Sequence, residues 1–124
     1  MLALVAFFLA PTFSLRFPTT GHCHCRFFDA VAAGCVPVII NDAWIVAVAP
    51  FASRVNYNAF TITVPEAVWA GDSAAAAHLI YNRPLGERRR MFESLIRAQR
   101  ELLWRHENSN VATNALLATR DCLA

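Results

Sequence analysis

Residues 26–42 read RFFDAVAAGCVPVIIND, and the way this stretch divides decides the fold. From Arg26 to Ala33 the apolar residues Phe27 and Val31, with Phe28 and Ala32 beside them, recur at helical spacing. Gly34 supplies the residue without a β-carbon that helix C-termini favour. Val36-Pro37-Val38-Ile39-Ile40 then has the β-branched, unbroken apolar character of a strand covered on both faces. Pro37 lies near its first position, where a missing amide is tolerated. Asn41-Asp42 ends the strand in a polar tip.

Downstream, Phe60 to Val64 alternates and predicts a second strand, with Phe60, Ile62 and Val64 on one side and Thr61 and Thr63 on the other. Pro65 and Glu66 close it. Ser73 is placed to cap a helix through Tyr81, and Pro84 precedes a longer helix from about Gly86 to His106. In that helix Met91, Leu95, Ala98 and Leu102 form one row and Phe92, Ile96, Gln99 and Leu103 the next, which predicts a broad buried stripe. Asn110 to Leu123 has weaker helical periodicity.

Upstream, Leu4 to Ala10 is a continuous apolar run closed by Pro11 and reads as a buried strand, with Thr12 to Thr20 as loop. The run from Leu2 to Ala10 is too short to span a bilayer and lacks a positive flank, which leaves a targeting remnant as the alternative. Strand, helix, strand, strand, helix, helix predicts an α/β layer on a Rossmann-like, mainly parallel sheet with flanking helices. Residues 1–124 read as a single unit, and three visible strands are few for such a sheet, so the expectation is the end of a larger domain.

Composition narrows the classes. The chain of 124 residues is 56% hydrophobic and only 16% charged, with a mean hydropathy of +0.37, richer in apolar residues than an ordinary self-sufficient domain. Some of that surface is expected to belong against a missing domain or partner subunit. All 11 basic residues besides His are Arg, three of them at Arg88-Arg89-Arg90, yet the net charge is only +2, which argues against a nucleic-acid partner. The Arg run reads as a solvated face at a helix start.

The run just before the helix, His22-Cys23-His24-Cys25, presents four metal donors in a row. Consecutive residues of an extended chain point alternately to opposite faces, so at most two of them can face one ion. The remaining ligands would have to come from Cys35, Cys122, His78 or His106, none in a paired spacing, and the reading is therefore no metal site. A disulfide among Cys23, Cys25 and Cys35 is an alternative to unpaired buried thiols.

A phosphate reading fares better. In an open α/β sheet ligands sit beyond the carboxyl ends of the strands, where helix N-termini present free N–H groups and a positive dipole end. Arg26, at the start of its helix, adds a guanidinium fork suited to a diphosphate, or pairs with Asp29 in the same turn. Asn41 and Asp42, on the same edge, can bind sugar or ribose hydroxyls or cap a turn.

Taken together, residues 26–42 resemble the exostosin family of glycosyltransferases, whose members carry a stretch close to R-[LF]-F-D-A-[IV]-x-[AS]-G-C-[IV]-P-V-I-[IV]-[SN]-D. Pro50-Phe51 is similar to the family's P-F dipeptide. Val55 to Glu66 is similar to L-D-[YW]-x-x-F-[ST]-[VI]-x-[VI]-x-E, and the Arg-rich helix and Asn114-Ala115-Leu116-Leu117 are loosely similar to the usual ending. The loop before Arg26 departs from the family's G-D-[ST]-x-[ST]-[SC]-R, carrying imidazoles and thiols in place of an acid and hydroxyls.

The resemblance implies a GT-B architecture of which this chain is a partial C-terminal, donor-binding domain. It implies a UDP-sugar donor held by Arg26, Phe27, Asn41 and Asp42, and a polysaccharide or glycoprotein acceptor. Golgi membrane residence of type II topology follows from the same likeness, as does a module inactive without its other domain. No catalytic base is assigned; no cofactor is firmly implied and a divalent cation is left open. The rival expectation is a non-catalytic α/β module that binds a partner protein through its surplus apolar surface.

Overall fold

The computed structural model describes residues 4–8, 13–14, 24–47 and 49–123, with side chains described from Phe27 onward except Trp44. Four strands, β1 (Leu4–Phe8), β2 (Phe13–Ser14), β3 (Val38–Ile40) and β4 (Ile62–Thr63), form a sheet in the order β2-β1-β3-β4. Six α-helices accompany them among the described residues: α1 (His24–Ala32), α2 (Trp44–Ala47), α3 (Glu66–Gly71), α4 (Ser73–Tyr81), α5 (Leu85–Leu102) and α6 (Val111–Leu123). The α/β class is as the sequence predicts; the mainly parallel sheet is not.

Only β3 and β4 pair in parallel, Val38 opposite Ile62 and Ile39 opposite Thr63. β1 runs antiparallel to β3, with Leu4 opposite Ile40 and Ala6 opposite Val38, and antiparallel to β2, with Phe7 opposite Ser14. The physical reason lies in a strand that the Thr-rich composition hides, since Phe13–Ser14 falls in the stretch expected to be loop. Two successive antiparallel pairings leave β2 pointing the same way as β3. The crossover unit is therefore β2-α1-β3, passing over β1, rather than β1-α1-β3. Leu9 and Ala10 of the expected first strand lie outside the described residues.

Burial on both faces of β3 follows the expectation from its composition. Ile39 joins Phe27, Ala30, Val31, Cys35, Tyr57, Phe60 and Leu95 on the α1 face. Val38 and Ile40 join Ile62, Val64, Ala76, Ile80 and Met91 on the α4 face. Helix α5 serves both, giving Met91 to the second core and Leu95, Ala98 and Leu102 to the first. Each large apolar side chain fully removed from water contributes about 1.5–3 kcal/mol, so the two-sided cover of this short strand anchors the fold.

Local chemistry explains the boundaries. α1 ends where the Gly34 N–H donates to Val31 O at 3.1 Å and the Cys35 N–H to Ala30 O at 2.9 Å, the paired bonds of a Schellman motif. Gly34 has φ +72°, the left-handed conformation that motif requires. α4 is capped by Asp72, whose Oδ1 accepts from the Ala75 N–H at 2.9 Å, rather than by Ser73, the first helical residue. α5 stops at Leu102, short of His106, because Leu103 is extended and the carbonyl of Arg100 accepts the Asn110 N–H that leads into α6.

Two further expectations change. Thr61 is buried, its Oγ1 donating to Tyr57 O at 2.9 Å. Phe60 still belongs to the 3-10 turn Tyr57–Ala59 as its C-cap, so it faces the α1 core while Ile62 and Val64 face the other. In α5 the first predicted row is buried, but Phe92 and Ile96 of the second remain 47% and 44% exposed. The short helices α2 and α3 fall in stretches to which the sequence pattern assigns no element; Pro65-Glu66, a proline at the helix boundary followed by an acid in the first turn, is the available signal for α3.

Candidate functional site

Helix α1 and the tip of β3 carry the residues that the sequence singles out, and the corrected topology keeps them on one edge. Since β2 points along β3, its end lies at the carboxyl edge of the sheet. The helix then returns through the short turn at Gly34 to the start of β3. Its N-terminal turn and the Asn41-Asp42 tip therefore lie toward the same side by connectivity. α1 begins at His24, two residues earlier than periodicity indicates, so His24, Cys25 and Arg26 form its first turn. That turn contains no acid, and its N–H groups carry the positive end of the helix dipole. Arg26 is placed there by its backbone; its side chain, and hence any pairing with Asp29, lies outside the described side chains, as do His22 and Cys23 altogether.

Phe27 is 0% exposed, its ring edge-on to Phe28 at 5.4 Å and tilted against Tyr57 at 5.8 Å and Phe60 at 6.5 Å. The side chain packs the first core beneath the helix start and presents nothing to the edge. It fixes where the first turn points, which is the part the structure gives it.

Asn41 is buried, and its Oδ1 accepts from the Ala43 N–H at 2.9 Å, shaping the turn out of β3. Asp42 is exposed, and its Oδ1 accepts from the Glu66 N–H at 3.1 Å, satisfying one of the unpaired amides at the start of α3. The polar tip thus performs the capping role that its residue types also allow. It additionally brings in Glu66, an exposed acid from the end of the second family-like stretch that periodicity did not mark as a site. Asp42 and Glu66 stand together at the carboxyl edge of the parallel pair β3 and β4. What unites them is tertiary, a bond between residues 24 positions apart.

Behind the edge, the chain from α2 to β4 is braced at several points. Phe51 holds φ +55°, uncommon for a residue with a side chain, and its carbonyl accepts from the N–H groups of Arg54 and Val55. Tyr57 Oη donates to Pro50 O at 2.6 Å, and burial pushes that hydroxyl above the ordinary phenol range. Arg54 Nη2 reaches Asp121 Oδ2 on α6 at 2.6 Å. Cys35 is a free buried thiol, pushed above the usual thiol range by desolvation, and Cys122 is free and exposed. Among the described residues no three His, Cys, Asp or Glu side chains converge to hold a metal ion.

Fold and site together define an α/β module with a braced carboxyl edge that presents a helix N-terminus, a polar tip and two neighbouring acids. The Exostosin GT47 domain matches residues 6–70, from β1 through most of α3. The Exostosin-1 homolog of Caenorhabditis elegans is 42% identical over 41 residues, 33% of this chain and 10% of that protein. The chain therefore belongs to the exostosin GT47 glycosyltransferase family, and the match spans about a tenth of the length of this curated relative. No solved structure matches it. The family match stops before α4, so the Arg-rich helix and the tail lie beyond it.

Proposed function

We propose that this chain is the donor-binding part of a glycosyltransferase that moves a sugar from a UDP-sugar to a polysaccharide or glycoprotein acceptor. The observation that carries the reading is the family match over residues 6–70, which encloses the whole candidate edge: the first turn of α1, the β3 tip and the start of α3. The free amides of that first turn and the guanidinium of Arg26 suit a diphosphate. Asn41, Asp42 and Glu66 suit hydroxyls of the ribose or of the donor sugar, Asp42 while capping α3.

Transfer requires an acceptor hydroxyl to attack the anomeric carbon while the diphosphate leaves with its bonding electrons. Amide dipoles and Arg26 would stabilise the charge growing on that leaving group. The base that removes the hydroxyl proton is left unassigned among these residues. A GT-B cleft, with a second domain supplying the acceptor side, is part of the same proposal, and so is Golgi residence; no helix of the described residues is long and apolar enough to cross a membrane. A divalent cation, if used, would enter with the donor diphosphate.

One observation favours a non-catalytic module instead: Asn41 Oδ1 and Asp42 Oδ1 are both engaged by backbone amides. A titration with UDP separates the two. Backbone amide resonances of residues 25–28 shift progressively on the donor-binding reading, and a folded sample with no shift there at millimolar UDP overturns it.

A further inference from the structure

Among the described residues three polar side chains are buried, Asn41, Thr61 and Asn114, and they use their donors differently. Thr61 gives its hydroxyl proton to Tyr57 O, and Asn114 gives its Nδ2 protons to Glu101. Asn41 is 7% exposed, yet only its acceptor is engaged, by the Ala43 N–H. That bond also fixes the amide orientation, because an N–H must meet the oxygen and would repel the NH2 group. Nδ2 is therefore held on the opposite branch, with no partner among the described residues. It is not sealed from water as Arg83 Nε is, so it opens to the edge. A donor held in place at a buried residue and left unpaired invites an acceptor from outside the chain.

Strand alternation says which side that donor serves. Ile39 belongs to the core under α1, whereas Val38 and Ile40 belong to the core under α4. Side chains alternate along a strand, so Asn41 continues the α1 side and Asp42 the other. The bond from the Glu66 N–H to Asp42 agrees, since Glu66 follows Val64 of the α4 core. On the α1 side the groups offered are N–H donors, those of the first turn of α1 and Asn41 Nδ2, and that turn holds no acid. On the other side Asp42 and Glu66 offer carboxylates. We infer that Asn41 Nδ2 donates to an anionic oxygen of the donor diphosphate beside the first turn of α1, an assignment that rests on the donor-binding reading. It parts Asn41 from Asp42 and Glu66, which keep the hydroxyls, and gives the leaving diphosphate a neutral donor held in position before the charge develops.

The test uses the full chain and follows the side-chain amide pair of Asn41 together with the backbone amides of residues 25–28, as UDP or uridine is added. The pair shifts with UDP along the same saturation curve as residues 25–28 and stays in place with uridine. Asn41→Asp keeps an oxygen for the Ala43 N–H and replaces the donor by a second acceptor, and it weakens UDP binding by about tenfold or more. Because the amide pair is read in the unaltered chain, the test holds even where a buried carboxylate unfolds that variant. An Asn41 pair that stays in place while residues 25–28 shift with UDP overturns the assignment and leaves the donor-binding reading standing. No shift at either place in the folded protein overturns both. An equal response of the pair to uridine, or a folded Asn41→Asp variant that binds UDP as tightly as the parent, also overturns the assignment.

Discussion

The two faces of β3 are packed by different means. Under α1 the core is aromatic and interlocked, with Phe27, Tyr57 and Phe60 stacked at centroid distances of 5.5–6.5 Å and Leu95 closing it from α5. Under α4 it is aliphatic, Ile62, Val64, Ala76, Ile80 and Met91 against Val38 and Ile40, with a small apolar hollow between Val36, Ile62, Ile80 and Met91 whose rim holds Arg83 and Arg88. Apart from α5, the first face is built by residues within the family match, whereas the second takes α4 from outside it. The aromatic face is the one that lies beneath the first turn of α1. Aromatic rings prefer a few defined mutual geometries, which is a reason for the side beneath a binding edge to be aromatic.

The comparison can be broken by mutation. Phe27→Ala opens a cavity in the aromatic face and is expected to cost about 3–5 kcal/mol by denaturant unfolding, with loss of any UDP response. Ile80→Ala on the aliphatic face should cost about 2–3 kcal/mol and leave the UDP response of the remaining folded protein intact. Equal loss of response in both variants, measured where both are folded, would show that the two faces do not divide the work in this way.

Smaller effects sharpen the same contrast. Gly34→Ala is expected to cost about 1–2 kcal/mol, and the cost is conformational, since the added carbon would make only an ordinary contact with Phe92. Asp42→Ala should cost about 1 kcal/mol through the exposed start of α3, while Asp42→Asn, which keeps an oxygen acceptor, recovers most of it. A donor-binding loss that persists in Asp42→Asn at restored stability would assign the carboxylate to the ligand as well as to the cap.

The smallest expected effect is pH-dependent and lies far from the edge. Asn114 and Asn110 donate to Glu101, and with Arg100 nearby they hold its carboxyl below the usual carboxylate range against the opposing cost of burial. A depressed carboxylate contributes stability that is present above its unfolded value and lost as pH falls through the folded one. Unfolding of the α5–α6 corner should therefore grow easier through the acid range below about pH 4.5, and Asn114→Ala should flatten that dependence. An unaltered acid limb in Asn114→Ala would contradict this account of the corner.

Residues 26–42 made the helix, its glycine stop, the two-faced strand and the family legible, because each rests on local spacing and residue type. Sheet direction was not legible, since two residues of β2 inside a Thr-rich stretch reverse the assignment of β1 and no periodicity can be read from so short a strand. The candidate edge was half legible. Asn41 and Asp42 stood out as a polar tip, but Glu66 joins them only through a tertiary bond, and Phe27 looked like part of a ligand contact until its ring was placed in the core. The second row of α5 read as buried because helical spacing reports an apolar face and not whether this chain covers it.

The central claim is that the first turn of α1 meets a donor diphosphate. Its most direct test is a parallel amide titration with UDP and with uridine, taking residues 76–80 of α4 as the internal reference. The account predicts saturable shifts at residues 25–28 with UDP, much weaker shifts with uridine, and none in α4. Equal responses to the two ligands, or no response at residues 25–28 in the folded protein, would contradict it.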